Sequence, residues 1–224
     1  MKLYNYSGKT ALVTGGGGKF GNALCLALAQ GGSKVIVSDF DLTKARATAA
    51  KVGGLALGLD VSDAAMWTNA LASIQELFGP LDLLFHCASP NPRDHLDSAT
   101  LLATCVGGVA LGMHACTSDL KLKLGAYAHV TSVQFVSDEA WSPKPEAAIW
   151  SACQFAKRGL HLAQSSRKDG LKSVLVGYNI PPKPGKMVRD EEVIAATLWG
   201  ISRGKCDLFV PGGIGVGAFR RKSL

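Results

Sequence analysis

The 224-residue sequence lacks the marks of several protein classes. It contains no uninterrupted apolar run of about 18 residues, and no apolar stretch precedes a cleavage-like site near its start. We therefore expect neither a membrane partner nor a secretory signal. Internal repeats, low-complexity tracts and linker-like segments are also missing, which predicts a single domain over residues 1–224.

The six cysteines follow no metal-binding or redox pattern. No two of them form a CxxC pair, and none is spaced with a histidine as in a zinc site. We predict no bound metal, and reduced thiols in a cytoplasmic protein.

Positive charge is in excess but scattered. Lysine and arginine number 24 against 17 acidic residues, a formal net charge of +7, and the tight cluster of cations is residues 220–222. Binding to nucleic acid usually needs a basic patch or stripe, so we expect no nucleic-acid partner.

Short apolar strands alternate with helices along the chain. Such alternation predicts right-handed crossovers and a doubly wound parallel α/β sheet. The predicted strands are residues 9–14, 34–38, 55–59, 81–85, 127–131, 172–177 and 207–210. The predicted helices are residues 22–30, 41–51, 63–78, 99–122, 147–167 and 190–202.

A glycine-rich loop joins the first strand to the first helix. Residues 14–21 read TGGGGKFG, which satisfies GxGxxG at Gly16, Gly18 and Gly21 and TGxxGxxG with Gly15. Glycines at this spacing permit a tight turn, close approach of a pyrophosphate and close helix–strand packing. A plain glycine-rich turn is the alternative, but the strand–loop–helix context favours a dinucleotide site in a Rossmann-type domain.

Two charged residues bear on which dinucleotide is bound. Asp39, at the end of the second strand, suits the two ribose hydroxyls of NAD and repels the 2′-phosphate of NADP. Lys19 favours NADP if it pairs with that phosphate, or it lies beside the pyrophosphate. We expect NAD, with NADP as the alternative.

These segments resemble the short-chain dehydrogenase/reductase family, and the resemblance runs over nearly the whole chain. KTALVTGG is similar to the family's first strand and loop, SDFDLTKA to its second strand, and FGPLDLL to its entry into strand four. LDVSD resembles the segment that holds the adenine. The resemblance implies cofactor contacts at Gly15, Gly18, Lys19, Phe20, Gly21, Asp39, Asp60, Val61 and Ala88.

The family's catalytic tetrad of Asn, Ser, Tyr and Lys is mostly replaced. The family serine follows strand five, and Ser132 in the segment HVTSV matches that position. The family segment Tyr-Ser-Ala-Ser-Lys-Ala-Ala is represented by WSACQFA, which puts Trp150 at the tyrosine and Gln154 at the lysine position. The asparagine position falls on Cys105.

These replacements remove the proton donor of the family mechanism, in which a tyrosine phenol protonates the alkoxide formed by hydride transfer. An indole N–H is no acid near neutral pH, and a glutamine supplies no charge. His86, at the end of strand four, would titrate near pH 6.5 if unperturbed and is a candidate replacement, with a structural histidine as the alternative. Ser132 is expected to donate to a carbonyl or oxyanion.

Other groups near the predicted site are not expected to be catalytic. Tyr178 follows strand six, where the family contacts the cofactor rather than the substrate. Asp138 and Glu139 are expected to be solvated loop acids, and Cys105 and Cys153 inert packing.

The second half of the sequence also bears on assembly and on function. A segment near 181–190 is shorter than the family's substrate-covering region, which predicts a more open site.

Small residues along the two long helices, together with the resemblance, imply a homodimer or homotetramer with polar edges at Lys157 and Arg158. Three functions remain: an oxidoreductase on an unknown small carbonyl or alcohol, a catalytically silent dinucleotide-binding protein, or a lyase, isomerase or cyclase.

Overall fold

The computed structural model describes residues 4–90, 97–124, 129–178 and 188–211. Within them, one parallel sheet has the strand order β3-β2-β1-β4-β5-β6-β7. This confirms the predicted doubly wound α/β sheet. The strands are β1 (Thr10–Thr14), β2 (Lys34–Asp39), β3 (Leu55–Gly58), β4 (Leu83–His86), β5 (Val130–Val136), β6 (Leu171–Tyr178) and β7 (Asp207–Val210).

Helices connect the strands and cover both faces of the sheet. Aspartate side chains accept hydrogen bonds from backbone amides at the start of three of them, through Asp41, Asp63 and Asp97. The helices are α1 (Lys19–Gln30), α2 (Leu42–Val52), α3 (Ala64–Phe78), α4 (Ser98–Leu102), α5 (Gly108–Leu124), α6 (Ala148–Ser165) and α7 (Asp190–Ser202). A π-helical turn, Ala103–Gly107, joins α4 to α5.

Alternate residues of each strand enter two separate apolar cores. Val13, Phe85 and Val133 lie in the first core, between the sheet and helices α1 and α7. Leu12 and Leu84 lie in the second, on the face covered by α3 and α5. Because both faces are buried, the strands read as nearly continuous apolar runs.

The fifth strand is where sequence and structure differ most. It was predicted to end at residue 131 but continues through Val136. Polar residues, among them Gln134, interrupt the apolar run of this segment. The structure instead buries Gln134, whose Nε2 donates to Ser173 Oγ at 3.2 Å and to the sulfur of Met113 at 3.3 Å. The residue that follows strand five is therefore Ser137, not Ser132.

One helical stretch, Ser98–Thr117, is long and apolar enough to cross a membrane by length and composition. In this fold the stretch contains the π-helical turn and lies over the second core. Val109, Met113 and Cys116 belong there to the same apolar cluster as Leu84. Burial in the structure covers 39% of its most apolar window.

Two predicted features fall partly or wholly outside the described residues. Most of the short covering segment near 181–190 lies outside the described residues, although α7 begins at Asp190 as predicted. The cationic cluster at 220–222 lies wholly outside them. All six cysteines are free thiols, as predicted.

Candidate active site

The carboxyl ends of β1, β4, β5 and β6 meet at one edge of the sheet. The strand order reverses between β1 and β4, and sheets of this kind bind ligands in the crevice outside that point. The Thr14 hydroxyl joins the two strands there, since it donates to Phe85 O at 3.3 Å and accepts from Ala88 N at 3.2 Å. The crevice is the expected ligand site.

The glycine loop borders this crevice and depends on bare backbone. Gly15 has a φ of 63°, and a Cβ there would lie 2.7 Å from Ala88 Cα. A Cβ on Gly21 would lie 2.2 Å from Gly15 O, so α1 packs on the turn only without a side chain. Gly18 differs, because a Cβ there would approach only Gly15 O, at 3.3 Å. Its outer side is open.

The first turn of α1 presents backbone amides at this opening. Gly18 supplies no side-chain cap, and the first turn contains no acid. The first amides of a helix have no intrahelical acceptor, and the helix dipole makes this end attractive to phosphate. The backbone of Lys19, Phe20 and Gly21 therefore fits a pyrophosphate. The Phe20 side chain packs elsewhere, edge-on against Phe135 with ring centroids 4.9 Å apart.

Asp39 closes the far side of the loop. Its carboxylate accepts from Gly17 N and Asp41 N, both at 3.0 Å. The stem of Lys44 of α2 lies against the same glycine, since a Cβ on Gly17 would be 2.5 Å from Lys44 Cβ, but Lys44 Nζ pairs with Asp41 at 3.5 Å. Lys19 Nζ pairs with Asp190 at 3.2 Å.

Asp60 and Val61 form the turn after β3. Asp60 Oδ1 accepts from the Ser62 amide at 2.9 Å and from its hydroxyl at 2.6 Å, which fixes the turn. Val61 is buried, its carbonyl accepts from Trp67 Nε1 at 2.9 Å, and its side chain fits against Gly108. The position of both residues is thus fixed by hydrogen bonds and packing within the protein.

His86 and Ser132 lie in the core rather than in the crevice, which corrects the sequence prediction for both. Both are buried, and His86 Nε2 lies 2.9 Å from Ser132 Oγ. Burial, followed by the charge of Lys157, lowers the pKa of His86 to about 3. His86 is thus a neutral structural histidine near pH 7, unsuited to act as an acid there.

Ser137 is the serine that the structure brings to the end of β5. Its amide donates to Gln154 Oε1 at 3.4 Å, and its hydroxyl donates to Glu139 Oε2. Lys144 Nζ completes the cluster, at 2.8 Å from Glu139 Oε1 and 3.2 Å from Asp138. Both acids are buried rather than solvated, contrary to expectation. A correct end for strand five would have identified Ser137 from sequence.

Lys157 has a buried ammonium group, although it was predicted to lie at the polar edge of a subunit interface. It lies on α6 one turn beyond Gln154, is 8% exposed, and donates to Phe135 O at 2.8 Å. Its Nζ is 5.9 Å from the centroid of the Trp150 ring. The spacing 150, 154, 157 along one helical face is the signal that could have revealed it.

Three thiols surround that ammonium. Burial lowers the pKa of Lys157, while the thiols act in the opposite direction. The thiols belong to Cys87, Cys105 and Cys153. Cys105 lies in the π-helical turn, 3.4 Å from Ser89 Oγ, so the residue at the family's asparagine position does border the site.

Tyr178, the last residue of β6, lies beside Ser137. Burial raises its pKa to about 12, the carboxylates of Glu139, Asp138 and Asp190 add to that, and a hydrogen bond with the Ser137 side chain opposes it. The resemblance places the family's phenol on α6, where this chain has Trp150. The structure places the phenol of Tyr178 beside Ser137 instead.

Potential metal ligands do not gather here. Among residues 4–90, 97–124, 129–178 and 188–211, no three His, Cys, Asp or Glu side chains are placed to share an ion. The chemistry available at the crevice is that of hydroxyl, amide, phenol, carboxyl, thiol and ammonium groups.

Comparison with known proteins identifies relatives for most of this sequence. The short chain dehydrogenase family matches residues 9–176. A segment of 87 residues is 41% identical to 2,5-dichloro-2,5-cyclohexadiene-1,4-diol dehydrogenase of Sphingobium indicum and covers 37% of this chain and 35% of that enzyme. A longer one of 173 residues is 30% identical to 3-beta-hydroxysteroid dehydrogenase of Comamonas testosteroni and covers 73% and 66%. The first match thus spans about a third of the relative's length.

Solved structures share the fold at low sequence identity. The 3-ketoacyl-(acyl-carrier-protein) reductase from Brucella melitensis complexed with NADH superposes with a TM-score of 0.77 and 22% identity, covering 92% of this chain and 98% of that one. A short chain dehydrogenase from Mycobacterium avium gives 0.79 and 19%, covering 98% and 86%. At such identities the likeness establishes the fold alone.

Proposed function

The chain belongs to the short-chain dehydrogenase family, and we propose from this that it is a nicotinamide-dinucleotide-dependent oxidoreductase. Its substrate would be a small molecule with a carbonyl or alcohol group. The observation that carries the proposal is the crevice between β1 and β4, with its bare glycine loop, the free amides of α1 and the carboxylate of Asp39. Each of these fits one part of a dinucleotide.

The residues that would hold the cofactor follow from that fit. Gly15, Gly18 and Gly21 would let the pyrophosphate approach the first amides of α1. Asp39 would accept hydrogen bonds from the adenosine ribose, which favours NAD over NADP. When bound, the dinucleotide supplies or accepts the hydride.

The remaining residues would bind and orient the substrate. Ser137 has a hydroxyl at the end of β5, and the buried Gln154 holds its amide in place. Gln154 Nε2 has no hydrogen-bond partner among the described residues, although the side chain is fully buried. An unpaired buried donor is costly, which supports a bound group as its partner.

A catalytically silent dinucleotide-binding protein is the second candidate. It is favoured by one observation, the replacement of the family's tyrosine and lysine by Trp150 and Gln154 on the same helical face. Under this alternative the crevice would bind NAD without transferring hydride.

We also propose a cytoplasmic homodimer or homotetramer. Free thiols suit a reducing compartment. Helix α6 leaves Ile149, Phe155 and Leu162 exposed on its outer side, and Gly159 has open space where a Cβ would lie. Such an apolar strip supports an isologous contact through this helix. Light scattering should give twice or four times the 23.4 kDa chain mass, and Gly159→Glu should return it to one.

Consumption of NADH with a panel of ketones and aldehydes tests the main proposal. The wild type should oxidise NADH with at least one carbonyl class, and Gly18→Ala should lose this activity while keeping its melting temperature. Gly159→Ala, an exposed change away from the crevice, is the control. NADH binding without turnover on any carbonyl would instead favour the silent alternative.

A further inference from the structure

A set of hydroxyl groups lies where β5 and β6 leave the sheet. Val136 pairs with Gly177 in the parallel register, so the next residues, Ser137 and Tyr178, emerge side by side. The Ser137 side chain lies close enough to the Tyr178 phenol to lower the pKa of that phenol. Tyr178 is only partly buried.

Neighbouring groups fix the direction of the hydrogen bonds. The Ser137 hydroxyl donates to Glu139 Oε2, and Glu139 is held in turn by Lys144. A hydroxyl has one proton and two lone pairs, so Ser137 Oγ is left to accept from the phenol. The chain of donors runs from Tyr178 through Ser137 to Glu139.

A third donor lies at the same place. Gln154 Oε1 accepts from Ser137 N, so its unpartnered Nε2 is within the same cluster. The amide lies on α6 and the phenol on β6, while the Ser137 proton stays with Glu139. A ligand oxygen bound beside them would accept from Gln154 Nε2 and from the phenol, whose O–H would turn from Ser137 Oγ to the ligand.

We propose that Tyr178, oriented by Ser137, is the proton donor to the substrate oxygen in carbonyl reduction. The inference rests on the proposed oxidoreductase function. Hydride from a dihydronicotinamide dinucleotide adds to the carbonyl carbon, and the electron pair of the C=O π bond moves to oxygen. That oxygen forms its new O–H bond as the Tyr178 O–H bond breaks. The carbonyl is reduced, the dinucleotide is oxidised, and the phenolate regains its proton from solvent.

The charged surroundings of Tyr178 give the reaction a preferred direction. Glu139 and Asp138 face it from the turn after β5, and Asp190 faces it from α7. Lys144 is paired with the first two and Lys19 with the third. Their net effect, with burial, holds the pKa of Tyr178 at about 12, so the phenol keeps its proton at neutral pH. Reduction uses the protonated phenol, whereas alcohol oxidation requires the phenolate and should accelerate as pH rises.

Absorbance of the phenolate tests the placement without relying on turnover. A rapid jump to high pH, read before unfolding, should show one phenolate fewer in Tyr178→Phe than in the wild type. Saturating NAD⁺ should make that phenolate appear at lower pH in the wild type, because the positive nicotinamide ring would lie beside it. No effect of bound NAD⁺ would overturn the placement, while absence of NAD⁺ binding would overturn the proposed function with it.

Hydride transfer then tests the role. Tyr178→Phe should lower the rate of NADH oxidation by a carbonyl at least about 100-fold, the usual effect of losing a general acid, with little change in NADH affinity. Tyr4→Phe is the control, since that hydroxyl is buried without a partner among the described residues and lies outside the crevice. A Tyr178→Phe rate equal to that of the wild type would refute the proton-donor role while leaving the proposed function intact.

Discussion

The two halves of the crevice are built by different means. The half around β1 and β2 is shaped by backbone, because Gly15 and Gly21 leave no room for a Cβ and the first amides of α1 need no particular side chain. The half around β5, β6 and α6 is shaped by side chains. Such a site changes its chemistry with a single substitution, whereas a backbone-built site persists as long as its glycines do.

Titratable groups are also distributed unequally between the halves. Asp39 and Asp60 lie on the partly exposed rim of the first half. His86, at the end of β4, and Lys157, on α6, are buried, and burial lowers the pKa of each. The stability of the fold should therefore depend on pH through these two groups.

The largest expected effect is on acid stability, through His86. Its folded-state pKa of about 3 lies below the unfolded value of 6.5, so the unfolded chain binds the proton first. The stabilisation is full above pH 6.5 and is lost as pH falls toward 3. At about 1.4 kcal/mol per pKa unit this corresponds to roughly 5 kcal/mol. His86→Gln should flatten the dependence of the unfolding free energy on pH in this window.

The exposed histidine of α5 provides the matched control for that measurement. His114→Gln makes the same substitution at an exposed position and is measured over the same pH range. An unchanged pH dependence in His86→Gln would mean that His86 is not buried neutral in the folded state.

Gly21→Ala should have the next largest effect. The new Cβ would meet Gly15 O at 2.2 Å and Gly16 Cα at 2.8 Å, and neither backbone atom moves cheaply. We expect a loss of about 1–3 kcal/mol in the free energy of unfolding, as for other overpacked sites. Denaturant titration checks it, with Gly18→Ala as the comparison that should unfold like the wild type.

Asp39→Ala should alter cofactor choice by a smaller amount. The carboxylate would bind the ribose hydroxyls of NADH and repel the extra phosphate of NADPH. Removing it should shrink the ratio of the two dissociation constants by about tenfold, equivalent to 1.4 kcal/mol. Fluorescence titration with each dinucleotide measures the ratio. Equal affinities already in the wild type would contradict this role for Asp39.

The smallest expected effect is a gain. Trp150→Tyr combined with Gln154→Lys returns the two family side chains to α6, and a few-fold rise in carbonyl reduction should follow. The increase should be larger in the Tyr178→Phe background, where the original phenol is missing. Rates in the single and combined variants, at equal NADH occupancy, distinguish a restored donor from a pocket that no longer accepts it.

The sequence predicted the fold and the first half of the site better than the second. Apolar periodicity and glycine spacing located the strands, the loop and Asp39, because these features depend on local chain geometry. The second half depends on one strand end, and the buried polar residue Gln134 made β5 appear shorter than it is. That boundary error moved the expected serine from 137 to 132.

Side-chain burial was the other quantity that sequence alone did not provide. Lys157, Asp138 and Glu139 were expected at the surface and are buried, whereas His86 was expected at the crevice and lies in the core. Charged residues are buried only when tertiary partners surround them, and no short-range pattern encodes those partners. The role proposed for Tyr178 likewise depends on a tertiary contact, the one with Ser137.

The most direct test compares NADH affinity after one change in each half. Titrations of the wild type, Gly18→Ala and Ser137→Ala would give three dissociation constants. The wild type should bind saturably, Ser137→Ala should bind within a few-fold of it, and Gly18→Ala should bind at least about tenfold more weakly, a loss of 1.4 kcal/mol or more. Equal weakening by both substitutions, or no saturable binding by the wild type, would contradict the claim that the first half supplies most of the dinucleotide affinity.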